Sequence, residues 1–428
     1  RITLRGSLVE QSHEIGMYVA GSEATVEASV VRSTQPNAQG SGRGVNAQAF
    51  SATGPPSTLL VRTSLVEQNH DVGVFVGSSA ATVEASVVRD TQPDAQGLFG
   101  HGVGAQAFST TSPPSTLLVR TSLVEQSHTN GVYVAGAEAT LEASVVRDTQ
   151  PNARGRFGRG VTAQAYSTTG PPSALLLRAS LVDQNHDTGV FVAGSDANLE
   201  ASVVRDTQPD AQGLFGRGVT AEAYPMMGPP TTLLVRTSLV ERSHDLGVFV
   251  AGAQATVEAS IVRDIQPDVL ELGGRGLHVQ AGETGAPSVL FLRSSLVAQS
   301  YEAGVAILGS VATIEACLLQ GTQPSPGWGG GEAVMVVSKE GAASASITGT
   351  RIHESALAAV AAWGAHADVK GSALSCQAFD LDAESYQGTA AELEDLGGNV
   401  CGCPEPISRC KAVSAGLEPP PALESVQD

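Results

Sequence analysis

Five histidines, His13, His70, His128, His186 and His244, recur in near copies of the segment SLVEQNHDVGVFV, and Tyr301 stands where a sixth would fall. Aligned imidazoles invite metal ligation or proton transfer. Their spacing of 57 or 58 residues must first be turned into distance. If each such segment makes two turns of a stacked-strand coil, successive histidines lie ~9.6 Å apart. That exceeds what one metal bridges at Zn–N distances of about 2 Å. The column therefore reads as turn histidines bonded to neighbouring backbone carbonyls, and no metal site is expected.

Carboxylates offer a second chemistry. Paired acids that cleave a glycosidic bond form one singular site, whereas every acidic position in the repeats recurs, most beside an arginine. The group Asp380, Asp382 and Glu384 does not recur. It reads as a solvated acidic turn with at most weak affinity for calcium, and no other cofactor is expected. No nucleophile elbow, phosphate loop or zinc-protease helix motif occurs. The Gly40/Gly42/Gly44 and Gly158/Gly160 runs lack the helix that a nucleotide loop needs.

Rows of aromatic and basic residues are the stronger binding candidates. Phe99, Phe157 and Phe215 precede the column Arg43, His101, Arg159, Arg217 and Arg275. A second row holds Phe50, Phe108, Tyr166 and Tyr224, each followed by a Pro-Pro pair. Rings spaced along a linear scaffold suit the stacking of polymer sugar rings, with Arg159 and Arg217 meeting acidic groups. The competing reading is that these rings cover apolar surface of their own coils.

The elements that must position these residues follow from a finer period. Glycines at 73, 102, 131 and 160 each precede a short apolar run, 29 residues apart, and glycines from 16 to 304 continue the series. Each 29-residue coil carries three short segments rich in Val, Leu and Thr, bounded by Gly, Ser, Asn, Asp or Pro. Three strands per coil predict an all-β, right-handed, single-stranded parallel β-helix, in which each strand pairs with its equivalents above and below. A propeller of similar period needs hairpin turns, and the two-residue Asn-Gly or Asp-Gly signals between strands are missing. About thirteen coils are expected, from Gly16 to a degraded coil near Ala358. The helix should fill residues 1–375 as 58-residue double coils degrading after about residue 300, followed by a Cys- and Pro-rich acidic cap and tail over 376–428.

Two charge columns check this coil register. The residue two before each repeat serine runs Arg5, Glu27, Arg62, Glu84, Arg120, Glu142, and so on to Glu315. The residue three after it runs Glu10, Arg32, Glu67, Arg89, Glu125, Arg147, in the opposite phase. Stacked strands superpose equivalent positions, so strict alternation gives each charge opposite neighbours.

Composition sets the outer limits. The net charge of −19 argues against nucleic acid, which needs clustered Lys and Arg. No apolar run is long enough to span a bilayer. The chain begins inside a repeat at Arg1, which points to a fragment or processed product. Cysteine is absent before Cys317, and Cys376, Cys401, Cys403 and Cys410 cluster near the end. Such a cap reads as oxidised, hence extracellular or cell-surface. Cys401 and Cys403 are too close to pair, so Cys376 and Cys410 are their natural partners, in either connectivity, with Cys317 left odd. A metal set of Cys401, Cys403, Cys410 and His366 lacks the usual paired spacing. The segment from Thr389 carries a capping box with Glu392 and predicts one short helix.

The repeated pattern SLVEQNHDVGVFV, ATVEASVVRDTQP and GRGV resembles the right-handed parallel β-helix repeat proteins of the pectate-lyase-like superfamily, particularly their large bacterial secreted or surface members. The resemblance covers about residues 1–375. It implies the fold; the superfamily's enzymes use singular Asp, Arg, Lys or His residues over one sheet, often with calcium, and no position here matches such a set. No catalytic residue is therefore assigned. The expectation is a non-catalytic, adhesin-like scaffold that binds extracellular polysaccharide or cell-surface components along its loop rows. The alternative is a polysaccharide lyase, hydrolase or epimerase, with its site in the irregular coils near Trp328 and Trp363 or in a further domain.

Overall fold

The computed structural model describes residues 1–223, 228–403, 410 and 412–419. Among these, strands form the only regular structure, and every third strand joins the same sheet, giving three parallel sheets of 15 strands. The chain is a parallel β-helix.

Two compact units divide it: residues 1–216 with 224–231, and residues 217–223 with 232–428. In the first unit the first sheet stacks strands such as Thr58–Arg62, Ala80–Glu84 and Ser115–Arg120. The second sheet stacks three-residue strands such as Leu65–Glu67 and Val87–Arg89. The third stacks Val72–Gly77, His101–Gln106 and Asn130–Ala135. Pairing is parallel and in register, Val83 opposite Val61 and Val119, so valines stack on valines. The core of this unit is a column of such residues, Val61, Val66, Val74 and Val76 from one coil, all at 0% exposure. Loss of their water-exposed area is the main stabilising term.

Short strands need sharp bends, and the bends explain the small residues in the repeat. Thr63, Ala85, Thr121 and Ala143, between first and second sheets, all have φ of 45–48°. Gln68 and Asp90, after the second sheet, have φ of 53°. Each left-handed residue costs roughly 1 kcal/mol, offset by the serine that follows the first bend. Ser64 Oγ accepts from Ser29 N at 3.2 Å and donates to Arg62 O at 2.8 Å, and Ser86 and Ser122 repeat the arrangement. Cys317 occupies this position in the second unit, its Sγ donating to Glu315 O at 3.1 Å, which accounts for a lone buried thiol.

The charge columns behave as the alternation requires. Arg120 and Arg178 are the strand partners of Glu142. Arg120 reaches Glu84 at 2.8 Å, Arg89 reaches Glu67 at 2.7 Å and Arg147 reaches Glu125 at 2.6 Å. The histidines are turn residues: Nδ1–H of His70, His128 and His186 donates to Thr34 O, Thr91 O and Thr149 O at 2.9–3.0 Å.

The second unit stacks strands such as Thr232–Arg236, Leu239–Glu241 and Leu246–Ala251 in the same way. Three sequence expectations need correction there. The strand pattern does not stop near Ala358 or at 375. Phe379–Glu384, Glu392–Asp395, Val400–Cys401 and Ala412–Val413 continue the three sheets. The short helix expected from Thr389 is the strand Glu392–Asp395, whose Leu393 stacks on Ala367. Pairing to an open sheet edge outweighs a capping box over one turn of helix. The Asp380–Glu384 acidic group is likewise part of a strand, with Asp382 fully buried. Disulfides Cys376–Cys403 and Cys401–Cys410 staple these final coils.

Candidate functional site

The third sheet carries the loop rows, because both insertions flank the same alternate strands. In the first unit these strands are Arg43–Gln48, His101–Gln106 and Arg159–Gln164. The TQP loops lead into them and the Pro-Pro loops leave them. Each loop is built locally. The Asp94 carboxylate accepts from Gln96 N at 3.0 Å and Leu98 N at 2.7 Å, and Asn37, Asn152 and Asp210 repeat this turn. The loops also pair with one another across two coils: Ala153 N donates to Gly97 O at 3.0 Å and Ala211 N to Gly155 O at 3.2 Å. In the other row, Tyr166 Oη donates to Phe108 O at 3.0 Å. The third sheet of this unit is thus a floor between two walls.

The face of that floor turned from the aliphatic core alternates in chemistry. Strands flanked by loops present polar residues, such as Arg43, Asn46 and Gln48, or Arg159, Thr162 and Gln164; the strands between present Phe75, Tyr133 and Phe191. Polar groups bond within the floor. Arg43 Nη1 donates to Asn46 Oδ1 at 3.1 Å, Asn46 Nδ2 to Gln48 Oε1 at 3.2 Å, and Gln48 Nε2 to Tyr18 Oη at 2.7 Å. Arg159, 3% exposed, bonds Asp187 at 2.8 Å, and its guanidinium lies 3.9 Å from the Phe191 ring centre and 4.8 Å from that of Phe157. His101 stacks on Tyr133 at 4.7 Å, and burial holds its pKa down to about 3, so it stays neutral.

The sequence candidates therefore separate by exposure. Phe50 is 74% and Phe99 48% exposed. Phe108, Phe157, Phe215 and Tyr166 are half-buried, and Arg159 and Arg217 are buried. Tyr224 lies outside the described residues. Phe99, Phe157 and Phe215 share φ of 53–65°, a strained conformation for a bulky residue. It turns the Phe157 ring over Arg159. Among the described residues no group of three or more His, Cys, Asp or Glu is placed to hold a metal ion.

In the second unit the same face begins with the repeat's chemistry and then departs from it. Arg217 bonds Asp245 at 2.9 Å and lies 4.3 Å from the Phe249 ring centre. Arg275 bonds Glu302 at 2.9 Å and donates to His278 Nδ1, while His278 Nε2–H donates to Gln280. The next loop-flanked strand, Glu332–Val337, carries a glutamate where its predecessors carry arginine or histidine. Neighbouring strands place Ala303 and Ala358 beside it instead of larger residues. Glu332 is 1% exposed and its Oε2 has no hydrogen-bond partner. Burial, reinforced by Glu302 and Asp382 and opposed by Arg275, pushes its pKa up to about 8. Burial also raises Asp382, to about 6, reinforced by the Glu384 carboxylate, which shares a hydrogen bond with it; its Oδ1 accepts from Ala415 N at 2.9 Å.

Around these acids lies an outer apolar cluster of Ala306, Met335, Ala361 and Trp363, packed by Trp328, Phe379, Tyr386 and Leu417. Both tryptophans of the chain belong to it. Leu417, shortly after the strand Ala412–Val413, packs against it. Glu384 accepts from Gly416 N at 2.6 Å and Ser414 Oγ at 2.9 Å, and Trp363 Nε1 donates to Leu417 O at 2.9 Å. Sequence reasoning had placed Glu332 in no site. Its signal was the sign reversal in the Arg43-to-Arg275 column.

No protein-family model matches the chain, and no curated protein matches it. Solved structures resemble it at low identity. The periplasmic alginate epimerase AlgG is 8% identical over 79% of this chain and 76% of its own, with a TM-score of 0.47. The Agl-KA catalytic domain is 10% identical over 81% and 62%, with a TM-score of 0.44. The catalytic unit of the GH87 alpha-1,3-glucanase from Streptomyces thermodiastaticus strain HF3-3 is 12% identical over 92% and 62%, with a TM-score of 0.39.

Proposed function

We propose that this protein is a non-catalytic extracellular or cell-surface scaffold that holds an extended polysaccharide along its loop rows. The carrying observation is that the repeated outer face of the third sheet satisfies its own charges. Arg43, Arg159 and Arg217 are each bonded to an aspartate and stacked on a ring, an arrangement that serves register. Phe50 and Phe99, each two residues from a strand of the third sheet, are exposed, and weak stacking repeated along a polymer gains through effective concentration. The two disulfides support an oxidising compartment.

Combining Phe50→Ala with Phe99→Ala tests this reading through co-sedimentation with insoluble polysaccharides. Retention should fall while the melting temperature stays at the parent's. Unchanged retention would remove these two rings from the account. One observation favours the alternative of a β-helix enzyme: Glu332 and Asp382 are singular, buried and raised in pKa, a condition found at acid–base sites. Turnover lost on Glu332→Gln would establish that alternative.

A further inference from the structure

The wall of TQP loops in the first unit has one member unlike its neighbours. Equivalent positions in three successive loops read Gln96, Arg154, Gln212 and Leu98, Arg156, Leu214. Each loop is stacked on the next through Ala153 N to Gly97 O and Ala211 N to Gly155 O, so two guanidiniums stand in columns that are otherwise neutral. Both arginines are exposed. Among the described residues no carboxylate lies within ion-pair distance of either. Other arginines of this unit are held: Arg89, Arg120 and Arg147 each bond a stacked glutamate, and Arg159 is buried on Asp187.

The same loop also lacks the acid of its neighbours. The side chain that closes the turn is Asp94 or Asp210 in the flanking loops and Asn152 here. Asn152, 6% exposed, accepts from Arg154 N at 2.9 Å and Arg156 N at 3.2 Å, which fixes the backbone that carries both side chains. A neutral amide leaves the guanidiniums without a competing charge in their own loop. Asp210 of the next loop feels Arg156, but its carboxylate is already bonded to Gln212 N and Leu214 N. In a chain of net charge −19, which repels polyanions elsewhere, such a pair is where one can be held. Phe99, 48% exposed, stands two residues beyond Gly97 in the preceding loop.

We propose that the loop from Asn152 to Phe157 binds an acidic polysaccharide, Arg154 and Arg156 each meeting a carboxylate or sulfate group and Phe99 taking a sugar ring. A guanidinium presents a planar fork of donors and no acceptor, which suits the oxygens of either group. The assignment rests on the polysaccharide-binding reading and names the charge class of the polymer. It also moves the basic contacts away from Arg159 and Arg217, which are buried and bonded to aspartates.

Equilibrium binding of the intact chain to immobilised polygalacturonate and dextran sulfate tests the proposal, each beside its uncharged counterpart, methyl-esterified polygalacturonate or dextran. At least one anionic form should be retained more strongly than its counterpart, and which one identifies the oxyanion. Arg154→Gln combined with Arg156→Leu installs the residues of the flanking loops, so the fold is kept. Affinity for the anionic form should then fall about tenfold, the order expected for two exposed charge-assisted contacts. Arg351→Gln, which removes an exposed arginine of the second unit, should leave it unchanged. Equal retention of charged and uncharged forms, or an unchanged double variant, overturns the assignment and leaves the polysaccharide reading standing; retention of no polymer overturns both. An equal loss from Arg351→Gln, or single-stranded DNA bound as tightly as the polysaccharide, reduces the loop to a general polyanion contact and overturns the assignment too.

Discussion

Replacing Glu332 by glutamine gives the sharpest energetic expectation. The side chain is buried among alanines and aromatic rings, and its pKa rises from the ordinary 4.5 to about 8. In this window the folded protein holds a proton that the unfolded chain has released, so stability falls as pH rises from 4.5 to 8. At ~1.4 kcal/mol per pH unit, the gap amounts to roughly 5 kcal/mol once both states are ionised. About 1 kcal/mol of it is lost by pH 5, and roughly 4 kcal/mol by pH 8. Glutamine cannot ionise, and groups other than its electrostatic neighbours Glu302, Asp382 and Arg275 titrate alike in both proteins. The stability difference, Glu332→Gln minus parent, should therefore shift toward the variant by about 3 kcal/mol between pH 5 and pH 8. Urea unfolding at the two pH values, monitored by far-ultraviolet circular dichroism, measures it. Parallel pH profiles for the two proteins would refute the buried-acid assignment.

Two further expectations concern the scaffold. A Cβ at Gly73 would lie 2.7 Å from Gly102 O and 2.8 Å from Val88 Cγ1; since the first is backbone of the next coil, Gly73→Ala should cost about 1–3 kcal/mol, read as a lower urea midpoint. Glu142→Arg would stand between Arg120 and Arg178 and should lower the melting temperature at low salt, with the loss shrinking as salt is added; a salt-independent loss would deny the ladder its electrostatic role.

How much of this was legible depends on whether a residue's role repeats. Gly73, Ser64 and the Arg62/Glu84 alternation were readable because each coil must match the one beneath it, so a single stacking constraint is printed a dozen times. The histidine column resolved into turn hydrogen bonds for the same reason. The burial of Arg159 was not readable. It depends on the Phe157 loop folding back in a strained conformation, and sequence spacing does not say which way a loop ring turns. The end of the chain misled for a related reason. Thr389 to Glu392 satisfies a local helix rule, yet the open edge of the first sheet beside Ala367 takes the segment as a strand. Glu332 was visible as a reversed sign in a basic column. Its isolation was not, because the apolar cluster beside it is completed by Trp363 and Leu417 from coils much later in the sequence.

The central claim, a scaffold that holds polysaccharide without transforming it, is tested most directly by incubating purified residues 1–428 with pectin, alginate and partially deacetylated chitin. Bound polymer, unsaturated products, new reducing ends and sugar configuration are followed together in the same samples. The account predicts retention of at least one polymer, with none of the three chemical changes above a no-protein control. Sustained turnover that disappears in Glu332→Gln would contradict it and make the outer face of the third sheet an active site.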